Sequence, residues 1–95
     1  MTAVVCKVDI RLRAVQSLKQ KRGILRKIIA RIQNKFSVMV SEVGHQDLLQ
    51  RAELGFAYVG NDAVLLNRLT DETIAYIDEF GLAETLGSER EVIHL

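Results

Sequence analysis

The stretch from Ser17 to Phe36 sets the terms on which this chain can fold. At a helical period, Leu18, Leu25, Ile28, Ile29, Ile32 and Phe36 share one face, and most of the lysines and arginines share the other. A helix built this way needs a second layer under its apolar stripe. Ser17 is placed to cap it, and Gln20, three residues on, to complete a capping box. Lys19, Lys21 and Arg22 then fall in or just past the first turn, where the helix dipole is already positive. Exposed cations there cost about 0.3–1 kcal/mol each. Together with free backbone N–H groups they make a place for an anion.

The strands supply the second layer. Residues Ala3 to Arg13 alternate: Val4, Cys6, Val8, Ile10 and Leu12 point one way, Lys7, Asp9, Arg11 and Arg13 the other. That is a half-buried strand, with Cys6 as a small core residue. Ser37 to Val43 reads as a second strand, with Val38 and Val40 on one face and Met39, Ser41 and Val43 on the other. His45 to Gln50 is a polar connection with room for one helical turn, and Ala52 to Gly60 is a third strand. Asn61 precedes a second helix, with Asp62 in its first turn. Its stripe is Leu65, Leu66, Leu69, Thr73, Tyr76, Ile77 and Phe80, and Gly81 stops it. Leu82 to Leu95 is a last strand, bulged or interrupted near Gly87-Ser88. The order strand, helix, strand, strand, helix, strand predicts an α+β, ferredoxin-like βαββαβ domain spanning residues 1–95. Its four-stranded antiparallel sheet carries both helices on one face.

Charge is nearly balanced overall, so it implies no partner by its total; its distribution does. Between Ile10 and Ser41 there are nine basic residues and no acid, and from Asp62 onward there are eight acids against Arg68 and Arg90. Such asymmetry points toward nucleic acid or an acidic partner, with a solvated helix face as the bland alternative. The single cysteine permits no internal disulfide and fits a reducing compartment. No apolar run is long enough to span a bilayer, and the expectation is a cytoplasmic protein without membrane contact.

Two motifs give the chain a family likeness. They are Ser17-Leu18-Lys19-Gln20-Lys21-Arg22 after the alternating strand, and the run from Glu42-Val43-Gly44-His45-Gln46-Asp47 through Leu48-Leu49-Gln50-Arg51 to Ala52-Glu53-Leu54-Gly55. With this spacing the chain resembles the small bacterial YlxP-like family along almost its whole length. The resemblance implies a ferredoxin-like fold and a bacterial cytoplasmic protein, and no activity, because the family's function is unknown. Its genes often lie near those of translation and ribosome maturation, a hint toward ribosomal particles. Two positions depart from the pattern. Ala14-Val15-Gln16 replaces a loop that often holds proline, and Leu49 stands where many relatives have tryptophan.

Three candidate sites follow. The first is the anion site at Lys19, Lys21 and Arg22, extended by Arg26, Lys27 and Arg31. Lys21 lies on the apolar side of the wheel, so its ammonium must emerge near the sheet or meet a carboxylate such as Glu42 or Asp47. A structural salt bridge beside a solvated basic face is the alternative to phosphate contact. The second is Gly55-Phe56-Ala57-Tyr58-Val59, which matches the centre of the third-strand signature of RNA-recognition motifs. Leu54 replaces its initial basic residue, and Asn61 its final aromatic. Facing outward, Leu54, Phe56 and Tyr58 would form a stacking platform or subunit interface; facing inward, they are core. The third is the polar loop of Glu42, His45, Gln46, Asp47, Gln50 and Arg51, where His45 and Asp47 are spaced to share a metal or act as base and orienter. The expectation there is a solvated or hydrogen-bonded loop with no catalytic residue, metal or cofactor. The reading as a whole is a small non-enzymatic module that binds RNA or ribosomal particles through its basic helix. A homo-oligomer that buries its open sheet face or pairs its edge strands is the alternative.

Overall fold

The computed structural model describes residues 1–95. Six elements follow one another: β1 (Thr2–Leu12), α1 (Leu18–Phe36), β2 (Ser41–Gly44), β3 (Arg51–Gly60), α2 (Ala63–Asp78) and β4 (Ala83–His94). They form one antiparallel sheet of order β2-β3-β1-β4. This is the expected βαββαβ ferredoxin-like fold, with both helices on one face. The second strand is shorter than expected. Val38 and Val40 are buried and Met39 is exposed, as the alternation required, yet ladder pairing begins only at Ser41.

The core lies where the stripes meet. Val4, Val8 and Ile10 of β1, Leu54 of β3, Ile28 and Ile32 of α1 and Ile77 of α2 have no exposed surface. Thr70 and Thr73 are buried inside α2, and both satisfy their hydroxyls by donating one turn back, to the carbonyls of Leu66 and Leu69. Thr73 Oγ1 also meets the Tyr58 hydroxyl at 2.6 Å.

Local chemistry fixes the helix ends. Ser17 Oγ accepts from the Gln20 amide, and Gln20 Oε1 reaches back to the amide of Gln16, one residue earlier than in a standard capping box. Asp62, rather than Asn61, caps α2, accepting from the amides of Val64 and Leu65. Gly81, at φ +71°, turns the chain after α2 toward β4. Opposite β1, the β4 register slips between Asp9 and Ile10, leaving Leu86 as the extra residue beside Gly87. No helix is long and apolar enough to cross a membrane.

Candidate functional site

The antiparallel register decides which side chains meet at the β2–β3 end of the sheet. Asp9 of β1 pairs with Glu53 of β3, and Lys7 with Gly55, so Lys7, Asp9 and Glu53 share the face turned away from the helices. Lys7 Nζ lies 3.3 Å from Glu53 Oε2, a contact that raises the lysine's pKa. Arg51 grips Asp9 with two donors, Nε to Oδ1 at 3.3 Å and a second to Oδ2. His45 enters from the β2–β3 loop, its Nε2 3.4 Å from Glu53 Oε1 and 3.6 Å from Asp9 Oδ1. A side chain at Gly44 would strike Glu53 Oε1, so the absent Cβ leaves room for this carboxylate.

On the helix side of the same loop sits Lys21, only 2% exposed. Its ammonium donates to the carbonyls of His45 at 2.7 Å and Leu48 at 2.6 Å, and lies 3.1 Å from Glu42 Oε2. His45 adopts φ +57°, and its carbonyl also closes the turn with the amide of Leu48. One lysine thus ties α1 to β2 and its loop. Gln50 Nε2 donates to the Val15 carbonyl at 3.4 Å, and Arg51 belongs to the Asp9 pair. Gln46 and Asp47 are exposed in the turn.

These positions correct one expectation and decide two alternatives that the sequence left open. Lys21 is not part of an exposed anion site; it is a buried brace, because its place on the apolar side of α1 brings it over the loop carbonyls. His45 and Asp47 do not work as a pair: the imidazole turns to Asp9 and Glu53, which the sequence reasoning missed. Their pairing is implied by the β1–β3 register, which alternation alone does not supply. Leu54, Phe56 and Tyr58 are not a surface platform; at 0%, 5% and 9% exposure they are core. Burial pushes the Tyr58 phenol pKa up, against a smaller opposing effect of the Thr73 hydrogen bond.

The open face carries other residues of β1 and β3. Ala3, Val5, Ala57 and Val59 lie together there, with Ile93 of β4 beside Ala3. Val43 leans over Gly55, where an added Cβ would come within 2.9 Å of its methyl carbon. Val5, Val43, Gly55 and Ala57 line a shallow depression of about 620 Å³, bordered by Lys7, Glu89 and Glu91.

The outward face of α1 is different in kind. Lys19, Arg22, Arg26, Lys27, Arg31 and Lys35 are all exposed, and none has a carboxylate within ion-pair distance. Elsewhere in the chain only Arg68 is in that position; Lys7, Arg11, Arg13, Lys21, Arg51 and Arg90 are all paired. Arg31 lies over the Phe80 ring at 5.0 Å and Lys35 over Tyr76 at 5.3 Å, contacts that order both cations without neutralising them.

Comparison with known proteins agrees with this architecture. The profile of DUF503, a family described as proteins of unknown function, matches residues 3–90. Over 64 residues the chain is 44% identical to the "Uncharacterized protein YlxP" of Bacillus subtilis (strain 168), covering 67% of this chain and 70% of that one. Among solved structures it is similar to a structural-genomics protein, YJCS, with TM-score 0.59 and 8% identity over 97% of this chain and 99% of that one. It is also similar to the de novo designed protein Foldit4, with TM-score 0.50 and 18% identity over 98% of each chain. At such identities the two structures speak to the fold alone.

Proposed function

The chain belongs to the DUF503 family of proteins of unknown function, and on that premise we propose that it is a small non-enzymatic module that binds RNA, ribosomal RNA included, along the outward face of α1. One observation carries the reading: of the seven lysines and arginines left without a carboxylate, all but Arg68 of α2 gather on α1. An unpaired surface cation is neutralised only by solvent ions, and releasing those ions is what drives binding to a phosphate backbone. Lys19 and Arg22 also stand near the positive end of the helix dipole, where an incoming phosphate relieves repulsion. Lys21 holds α1 in place and takes no part in contact.

Filter binding of purified ribosomal RNA, together with lysate co-sedimentation before and after nuclease, tests the reading. Binding that weakens steeply with salt, and particle association lost on nuclease treatment, are the expected results. Absent or salt-independent binding, or binding unchanged by Lys19→Ala with Arg22→Ala and Arg26→Ala, would overturn it.

A second reading, self-association through the open sheet face, is favoured by the contiguous apolar set of Val5, Val43, Ala57, Val59 and Ile93. It replaces an interface through Leu54, Phe56 and Tyr58, which are internal. Sedimentation over a concentration series decides it, and a monomer throughout removes it. The two readings are compatible, since α1 lies on the opposite side of the sheet.

A further inference from the structure

Resting on the RNA reading above, we infer that the RNA is base-paired, and that α1 straddles two phosphate rows bordering one groove. The cations of α1 are not scattered. Lys19, Arg22 and Arg26 recur every three or four residues along one flank, and Lys27, Arg31 and Lys35 recur every four along the other. Between the flanks the outward face carries Gly23, Ala30 and Asn34, all exposed, so nothing bulky or acidic interrupts the approach of the helix backbone. From Lys19 to Lys35 the helix rises about 24 Å. Two charged flanks on one rod match two phosphate rows held at fixed separation, as a duplex presents them. A single strand offers one flexible row.

The aromatics argue the same way. Single-strand binders stack bases on exposed rings. Here Phe56 and Tyr58 are buried. Phe36, Tyr76 and Phe80 are half-buried and pack edge-to-face, at 5.5 and 4.7 Å between centroids, with the protein's own Arg31 and Lys35 over two of them. The open sheet face offers no second track for a strand, because Asp9, Glu53, Glu89 and Glu91 outnumber Lys7 and Arg90 around its depressions.

The test compares the full chain on an RNA hairpin with a stem of about 16 base pairs and on an unstructured uridine-rich strand of equal nucleotide count. Salt is varied from about 50 to 200 mM. The hairpin is expected to bind at least about tenfold more tightly, with a logarithmic salt slope near −5 for six phosphate contacts. Neutralising either flank to alanine brings that slope to about −3. The Lys19/Arg22/Arg26 set is the reference variant, because those exposed side chains make no hydrogen bond, ion pair or ring contact within the chain; circular dichroism confirms folding of the other. Equal or tighter binding of the single strand overturns the duplex inference and leaves the RNA reading standing. A flank whose removal changes nothing overturns the straddling geometry. Failure of both probes to bind overturns the inference and the RNA reading together.

Discussion

Lys21 and Arg22 are neighbours in sequence and belong to different regions of the molecule. Lys21 is buried on two loop carbonyls and the Glu42 carboxylate. Arg22 is exposed and unpaired, like the five other cations of the outward face. The charged end of the sheet, with Lys7, Asp9, His45, Arg51 and Glu53, resembles the first of these; the helix face resembles the second. Both regions are dense in charge. At the sheet end each cation has its counter-charge inside the chain, so the cluster holds elements together. On α1 the counter-charge must come from outside. Charge density alone therefore does not separate the two regions; the presence or absence of an internal partner does.

The sharpest way to break this contrast is Lys21→Met. It removes a buried cation from two carbonyls and a carboxylate that is itself about a quarter exposed, at an expected cost of about 3 kcal/mol. For a domain of this size, that is a fall in Tm of more than about 10 °C. Urea unfolding checks it. A variant of unchanged stability with weakened RNA binding would return Lys21 to the exposed set.

Removing Lys19, Arg22 and Arg26 together is expected to lower RNA affinity about a hundredfold at physiological salt, about 2.7 kcal/mol. Thermal stability should hold or rise slightly, because two of these cations oppose the helix dipole. A loss of stability would place them with the internal braces instead.

Gly23 sharpens the comparison from the other side. A Cβ there would meet nothing within 4 Å, so Gly23→Ala should stabilise α1 by about 1 kcal/mol, raising Tm by about 4–8 °C. If the backbone there rests against RNA, affinity falls even as stability rises. A destabilised Gly23→Ala protein would mean that this stretch of helix packs on something internal.

The smallest effect expected is alkaline. Burial raises the pKa of Cys6, the nearby Arg90 opposing it; burial does the same for Tyr58; and the Glu53 hydrogen bond raises that of Lys7. Each group binds its proton more tightly folded than unfolded. Their stabilising effect is therefore complete below the ordinary values of 9.0, 10.0 and 10.5 and is lost as pH rises past them. Tm measured through that window should decline, less steeply at its start in Cys6→Ala. A flat profile would contradict the burial of Cys6 and Tyr58 and the Lys7–Glu53 contact.

The fold was legible because period and punctuation agreed: alternation in β1, the 3.6 repeat in both helices, Ser17 at a cap and glycine after α2. The place of Lys21 on the apolar side of the wheel left two outcomes, emergence near the sheet or a carboxylate at Glu42 or Asp47, and counting it with the exposed cations was wrong because it meets Glu42. What alternation could not supply was register and facing. Phe56 and Tyr58 match a stacking signature by residue type, and only the choice of face separates a platform from a core. The sheet turns its apolar alternates toward α1 and α2, where they find area to bury, and that decides it. Asp9 and Glu53 lie 44 positions apart in sequence and become partners of His45 only through β1–β3 pairing. The unpaired state of the helix cations was likewise hidden, since it depends on where each acid lies in space.

The contrast can be put to one measurement: the salt slope of hairpin RNA binding for two variants of equal net charge. One lacks Lys19, Arg22 and Arg26. The other lacks Lys7, Arg11 and Arg13, which are paired with Glu53 and Glu84. The slope should shrink by about 2.7 in the first and stay near the parent value in the second. Equal loss in both would show that total charge alone governs binding, and the division between helix face and sheet end would fall.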